Sequence, residues 1–387
     1  MEKDLRTDSH GLARSWVRQR TLVVSLFFAY VLGVSEYLHW AGWYAGHISD
    51  LYAYQDQLLN GHAPWLADQN RVLSPWIIAR IEHIAHLSYE YAYQHFMFWS
   101  FIAINVSTAI LFSSLGLTIG QSLTGLLLTA AVPMLLLNYW WFPWTNLEAI
   151  LWILLFTVDA LGWRGRSQFA AVAVIFIAMV FTKETAVFIP VWIVLRTLTE
   201  PQRSWRRVAH ICATGFAMVL LSLLIDHELR RALWVSGTFP GLPLGYPPSA
   251  AVLGGTMPNM FLWPRATIDY YLLNAAALFT GRLPWPLFDN DHWTDWPSGS
   301  TDFIAILALS ILGAFWSQRR QEPVILALSL LSLSYLFVCV VMINMPESDK
   351  LLPTLAFGIY AYGRWCTLES RPCIESGRTR AEIAGSN

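Results

Sequence analysis

The chain has 387 residues, of which 55% are hydrophobic and only 13% are charged, and its formal net charge is −1. Soluble globular domains carry about 25% charged residues, so this composition excludes an ordinary soluble domain and favours a protein that crosses a membrane several times. A near-neutral chain without a basic patch gives no reason to expect nucleic-acid binding. The four cysteines lack CxxC or metal-ligand spacing, so we expect neither a disulfide framework nor a zinc site.

The first predicted element is a membrane-spanning helix from Thr21 to about Trp40, which follows a basic N-terminal segment. This apolar run is longer than the roughly 7–15 residues of a signal-peptide core, and we interpret it as an uncleaved helix. A span needs about 20 apolar residues, and nine further candidates follow at 96–114, 121–137, 146–162, 168–182, 185–197, 208–225, 302–316, 323–343 and 351–366. The sequence therefore predicts an all-α polytopic membrane protein with about ten transmembrane helices and short external interfacial helices.

The distribution of basic residues predicts the orientation of these spans. With the N-terminus inside, most of the 25 Lys and Arg residues fall in short inside segments, as the positive-inside rule requires. Both termini are then cytoplasmic, and the long loops 41–95 and 226–301 are external. We expect one integral-membrane domain over 1–370, a polar and disordered tail over 371–387, and a location in a bacterial inner (plasma) membrane.

The first external loop begins with a predicted surface helix over residues 49–60. Leu51, Tyr54 and Leu58 would share one face of this helix, and Gly61 could end it. Asp50 would lie at the start of the helix near the edge of the bilayer, where a partly desolvated carboxylate could act as a general base. A solvated loop acid is the alternative interpretation of Asp50.

The next segment, residues 71–91, starts with Arg71 and is too polar for a lipid-facing span. It has an apolar side but also carries His83, His86 and Glu90, which would share one face if the whole segment were one helix. A metal site is conceivable on that face, although such residues are more often ordinary members of a polar helix face.

A charged pair interrupts the middle of the chain. The stretch FTKETAVFIP at 181–190 places Lys183 and Glu184 between two short apolar runs. One interpretation is a turn in which Thr182 or Thr185 caps a helix. The other is a ligand site, because ionisable residues near membrane depth mostly face a polar cavity, and a lysine ammonium suits a phosphate.

Two later external stretches also carry candidate binding residues. The turn at 344–350 contains Lys350 among acidic residues and is either a solvated turn or part of the same outer site. The loop 226–301 alternates tryptophans, among them Trp293, with carboxylates. Aromatic faces beside carboxylates suit sugar rings, whereas anchoring at the membrane interface is the alternative role for these tryptophans.

In this order the motifs resemble the GT-C superfamily of integral-membrane glycosyltransferases. The resemblance rests on the stretch DLYAYQDQLLNGHAPW at 50–65, RVLSP at 71–75, TKET at 182–185 and ESDK at 347–350, followed by Pro353. It extends along the whole chain. It implies an external active site built by the first loop and a donor in which a sugar is linked to a polyprenyl phosphate.

The resemblance also implies roles for particular residues. Asp50 would be the catalytic base that deprotonates an acceptor hydroxyl for inverting attack on the anomeric carbon. Arg71, Lys183 and Lys350 would hold the lipid phosphate, and we place the other binding candidates (Tyr54, Glu184 and Trp293) in the same site. The family often pairs acids in the first loop, whereas Asp50 is flanked by Ser49 and Leu51 and its nearest acid is Asp56. We therefore expect no cofactor, and a divalent metal is conceivable but not supported.

The main alternative is a multi-pass transporter or flippase for a lipid-linked or polar substrate. Such a protein should show repeated hydropathy halves with helices broken at corresponding positions. Neither feature is evident in the sequence, and the long aromatic loops would remain unexplained. A non-catalytic membrane scaffold is a third possibility, which would require neither Asp50 nor Lys183.

Overall fold

A computed structural model describes residues 2–44, 71–136, 143–162, 165–201, 204–233, 297–342 and 352–369. The secondary structure of this part of the chain is helical throughout. The helices are α1 (Glu2–Tyr44), α2 (Leu73–Ala85), α3 (Tyr89–Leu115), α4 (Ile119–Leu136), α5 (Pro143–Ala160), α6 (Arg166–Val180), α7 (Phe188–Leu198), α8 (Trp205–Leu233), α9 (Pro297–Arg320), α10 (Pro323–Met342) and α11 (Leu352–Glu369), and a 3-10 turn at Glu184–Val187 precedes α7.

Three helices in the described part of the chain are long and apolar enough to cross a membrane. They contain the segments Gln19–Gly42, Tyr89–Leu115 and Trp205–Asp226. Shorter apolar helices occur at Ile119–Ala131, Arg166–Val180 and Pro323–Cys339. The prediction of an all-α fold is confirmed for the described residues, and these helices agree with a membrane protein. Each predicted span overlaps a helix, whereas the number of crossings stays a prediction.

Helix α3 lies at the centre of one half of the bundle and packs against α1, α2, α4, α5 and α11. Its closest neighbour is α1, because Gly33 of α1 lets the two backbones meet. A β-carbon added at Gly33 would lie only 2.6 Å from the Cα atom of Ile102. Small residues serve this purpose in membrane helix pairs, where van der Waals packing rather than exclusion of water holds helices together.

An aromatic cluster joins α5 to α7 and α11. The Phe156 ring stacks on Tyr360 of α11 at a centroid distance of 4.9 Å and meets Trp192 of α7 edge-on at 5.3 Å. Trp152, one turn earlier on α5, meets Phe357 edge-on at 5.0 Å. Stacked and edge-to-face pairs of this kind add to the gain from burying the rings, so this cluster fixes α5 against its two neighbours.

The prediction that residues 71–91 form one polar segment is wrong. Helix α2 ends at Ala85 because His86 adopts a left-handed backbone conformation, with φ at 54°, and the membrane helix α3 already begins at Tyr89. His83, His86 and Glu90 therefore do not share a helix face, and the conceivable metal site on that face is lost. Within the described residues, no group of three or more His, Cys, Asp or Glu side chains could hold a metal ion.

Candidate functional site

The candidate site lies where the chain breaks between α6 and α7. After α6 ends at Val180, the amides of Thr182 and Lys183 both donate to the Met179 carbonyl, at 2.9 and 2.8 Å. Lys183 is then fully extended, with φ at −167° and ψ at 150°, and the 3-10 turn follows. With Lys183 extended, the two neighbouring side chains point in different directions. Lys183 points into the bundle and Glu184 points toward its surface.

Arg71 reaches this break from the start of α2, where the Leu73 amide donates to the Phe181 carbonyl at 2.9 Å. The Arg71 guanidinium donates from Nε to Glu184 Oε2 at 3.2 Å and from Nη2 to Oε1 at 2.5 Å. It also lies over the Trp144 ring, 5.4 Å from the ring centroid. Two parallel hydrogen bonds to one carboxylate are the strong, directional form of an arginine ion pair.

Lys183 points inward and binds an acid that the sequence motifs did not single out. Its Nζ donates to Glu148 Oε2 at 2.8 Å, and the two side chains are 2% and 0% exposed. Thr185 Oγ1 donates to the other oxygen, Glu148 Oε1. Both oxygens of the Glu148 carboxylate therefore have a donor, which is the condition under which a buried charge is tolerated.

The threonines of the break do not cap helices, so that part of the turn interpretation is wrong. Thr182 Oγ1 donates back to the Ala178 carbonyl at 2.7 Å, and Thr185 is engaged by Glu148. Neither the 3-10 turn nor α7 has a side-chain cap at its N-terminus. The threonine hydroxyls instead satisfy groups inside the bundle, because the break itself is buried.

We call Arg71, Glu148, Lys183, Glu184 and Thr185 the charged cluster. Its two basic and two acidic side chains balance, and three of the four are almost wholly buried. Glu184 is the exception, with 43% of its side chain exposed. Desolvation would raise the pKa of Glu184, but the charge and hydrogen bonds of Arg71 and the charge of Lys183 outweigh it and lower that pKa to about 2. An ionised Glu184 carboxylate fits its two hydrogen bonds from Arg71.

Some buried polar atoms in the first turns of α2 and α5 have no hydrogen-bond partner in the described part of the chain. They are the hydroxyls of Ser74 and Thr145 and the Asn146 Oδ1 atom, and these three residues are buried. Ser74 lies three residues after Arg71, and Thr145 follows Trp144, over whose ring the Arg71 guanidinium lies. Buried polar atoms nearly always have a protein or water partner, so these three atoms could form hydrogen bonds with water or a ligand.

Three of the predicted site residues fall within the described structure, namely Arg71, Lys183 and Glu184. The structure brings all three together at one break, although Arg71 and Glu184 are 113 positions apart in the chain. The remaining four, Asp50, Tyr54, Trp293 and Lys350, lie outside the described residues, as does the predicted tail at 371–387. Their roles stay predictions.

Two buried acids, Glu148 and Glu36, lie outside the sequence motifs. Glu148 occupies the N-terminal part of α5, and Glu36 lies in the apolar segment of α1, where it accepts a hydrogen bond of 2.6 Å from Asn105 Nδ2 of α3. Both fall within candidate spans of the sequence. An acid inside an apolar run is by itself a signal of a functional or specific packing role, and that signal was available.

Comparison of the chain with protein-family models, with curated proteins and with solved structures found no match in any of the three.

Proposed function

We propose that this protein is a membrane glycosyltransferase that transfers a sugar from a polyprenyl-phosphate donor to an acceptor at the outer membrane face. The reaction inverts the anomeric configuration, and Asp50 is the general base. In this proposal the chain crosses a bacterial plasma membrane about ten times with both termini in the cytoplasm, and the bilayer holds the prenyl chain of the donor beside the spans.

The observation that carries the proposal is the Arg71–Glu184 contact. The first-loop motif and the mid-chain motif are more than 100 residues apart in the sequence, and the resemblance implies that both contribute to one active site. That Arg71 binds Glu184, next to Lys183, supports a common site for the two motifs. Buried charge of this kind in an apolar bundle has a high desolvation penalty, and such residues usually serve function.

Within the proposed reaction, the charged cluster stabilises the leaving group. As the bond from the anomeric carbon to the phosphate oxygen breaks, its electron pair stays on the phosphate, whose negative charge increases. A fixed guanidinium in a site that excludes water stabilises such developing charge strongly, because it needs no reorganisation during the reaction. Arg71 is positioned in that way by the Trp144 ring, over which its guanidinium lies.

The direct test is incubation of the purified protein with a panel of polyprenyl-phosphate sugars, with release of the lipid phosphate as the readout. Asp50→Asn should abolish release, while expression and folding remain those of the parent protein. Removing a general base lowers the rate by about 10²–10⁴-fold. Asp68→Asn, in the same predicted loop, is the matched control and should retain activity. Full activity of Asp50→Asn would refute the catalytic role.

A transporter is the second candidate, and the observation that favours it is Glu36. This side chain is 4% exposed within the candidate span Gln19–Gly42, and acids at such positions often line an ion or proton path. Net flux of a polar substrate into sealed liposomes, without any lipid-linked sugar and abolished by Glu36→Gln, would establish this alternative. Sugar transfer that Glu36→Gln leaves unchanged would favour the glycosyltransferase.

A further inference from the structure

The carboxylate of Glu184 occupies a position on Arg71 that a phosphate could fill. It accepts from Nε and Nη2, which lie on one edge of the guanidinium. Two oxygens of a phosphate satisfy the same pair of donors with the same planar geometry, which is why arginine binds carboxylates and phosphates alike. The carboxylate thus stands where the phosphate group of a ligand would be held.

Glu184 is also the member of the charged cluster that can leave. Arg71, Lys183 and Glu148 are 3%, 2% and 0% exposed, whereas the Glu184 side chain is 43% exposed. A change in its side-chain torsions would move its carboxylate into solvent without any change of the 3-10 turn. The Nε and Nη2 donors of Arg71 would then be available, still braced by the Trp144 ring.

We propose that Glu184 is an intramolecular competitor for phosphate, which occupies the Arg71 donor edge when the site is empty and yields it to the phosphate group of the lipid ligand. This inference rests on the proposed function, since it assigns the regulation of the same site. In the closed state Glu184 blocks Arg71. In the open state Arg71 binds phosphate, while the Lys183–Glu148 pair keeps the break in place.

Competition of this kind lowers the affinity of the site for every phosphate ligand by the same factor. The apparent dissociation constant equals the intrinsic one divided by the fraction of molecules in the open state, whatever the ligand's chain. The lipid phosphate left after sugar transfer is subject to this factor as well. Glu184 therefore promotes release of that product by reoccupying Arg71, and release of product limits the rate of many enzymes.

Binding of farnesyl phosphate to the full-length protein in detergent micelles, measured by calorimetry, tests the proposal without any sugar transfer. Glu184→Gln keeps the shape of the side chain and removes its charge. We expect it to tighten farnesyl phosphate binding by about tenfold, the scale of one charge-assisted hydrogen bond. The affinity for inorganic phosphate, measured by competition with farnesyl phosphate, should increase by the same factor. The affinity for farnesol, which lacks the phosphate, should not change.

Glu200→Gln is the matched control. Glu200 also pairs with arginines, Arg196 and Arg207, and is 30% exposed, but it lies beyond the other end of α7, an 11-residue helix about 16 Å long at 1.5 Å per residue. It should leave phosphate binding unchanged. Glu184→Asp keeps the charge that balances Arg71 but shortens its reach, so it should fold even if Glu184→Gln does not and should give a smaller gain.

The outcomes separate the inference from the proposed function. Folded variants at Glu184 that bind farnesyl phosphate no more tightly than the parent would overturn the competitor role, and so would an equal gain for farnesol. A gain confined to farnesyl phosphate would overturn it too, because the factor must be shared by inorganic phosphate. Tighter phosphate binding in a protein that transfers no sugar would support the competitor and refute the glycosyltransferase.

Discussion

Lys183 and Glu148 form an ion pair with almost no access to solvent, at a nitrogen–oxygen distance of 2.8 Å. Such a pair gains little over apolar residues in its place, but removing one partner leaves an uncompensated buried charge. Lys183 is therefore poorly placed to reach a ligand directly in this conformation. The pair with Glu148 holds Lys183 in its extended conformation and so positions the next residue, Glu184. Arg71 is the cation that contacts the partly exposed Glu184.

A double-mutant cycle on this pair should show strong coupling. Lys183→Met and Glu148→Gln should each lower the free energy of unfolding by about 3–5 kcal/mol, because each leaves the other charge buried alone. The double variant contains neither charge, so its free energy of unfolding should fall by much less than the sum of the decreases in the two single variants. Reversible unfolding in mixed detergent micelles measures all three changes.

Glu200→Gln provides the comparison for this cycle. Its ion pairs are partly exposed, at 26–57% for the arginines, and the expected loss is no more than about 1 kcal/mol. If the losses of the two single variants at Lys183 and Glu148 simply added in the double variant, the pair would not be the closely coupled contact that the structure describes.

At the scale of the elements, the pairing of α1 with α3 depends on a close backbone approach and one polar contact. Gly33 lies against the backbone of Ile102, and one turn further along each helix Glu36 accepts a hydrogen bond from Asn105. The two contacts are three residues apart on both helices, so they lie on the same faces. Together they fix the depth and the rotation of one helix relative to the other.

Gly33→Ala should destabilise the protein by about 1–3 kcal/mol, because the new methyl group would overlap the Cα atom of Ile102 and push α1 from α3. Gly42→Ala, in the same helix, is the control, since no atom lies within 4 Å of its added β-carbon. There the better helix propensity of alanine, by about 0.8–1.0 kcal/mol, should make the change neutral or stabilising. Thermal unfolding of both variants in detergent measures the difference. Equal shifts would contradict the close packing at Gly33.

The positions of the helices could be predicted from the sequence because each depends on a local run of apolar residues. All the candidate spans overlap helices, and 323–343 differs from α10 (Pro323–Met342) by one residue. The start of α3 was misplaced by several residues because Tyr89–Gln94 is polar for a span, yet Ser88 caps the helix there by accepting from the Tyr91 amide. Capping is a local signal that hydropathy does not measure.

At the scale of the whole molecule, the number of crossings is predicted from the lengths of the apolar runs, and their direction is predicted from the distribution of Lys and Arg. Single cysteines introduced into a variant lacking the native cysteines would measure them in intact cells with a membrane-impermeant maleimide. We expect Ser9→Cys and Ser376→Cys to be protected and Ser236→Cys, in the predicted external loop, to be labelled, because basic segments remain inside. Labelling of Ser9→Cys from outside would show that the orientation is opposite to the predicted one, with the proposed site on the cytoplasmic face.

The sequence by itself determined the class of this protein, the places of its helices and three members of the charged cluster, because composition, apolar run length and conspicuous charge are local properties. The tertiary structure alone decided how those charges pair. Glu148 lies 35 positions from Lys183, and Arg71 lies 113 positions from Glu184. Apolar helices can pack in many arrangements of similar hydrophobicity, so no local pattern selects the partners. Close packing and the penalty for an unpaired buried charge select them together.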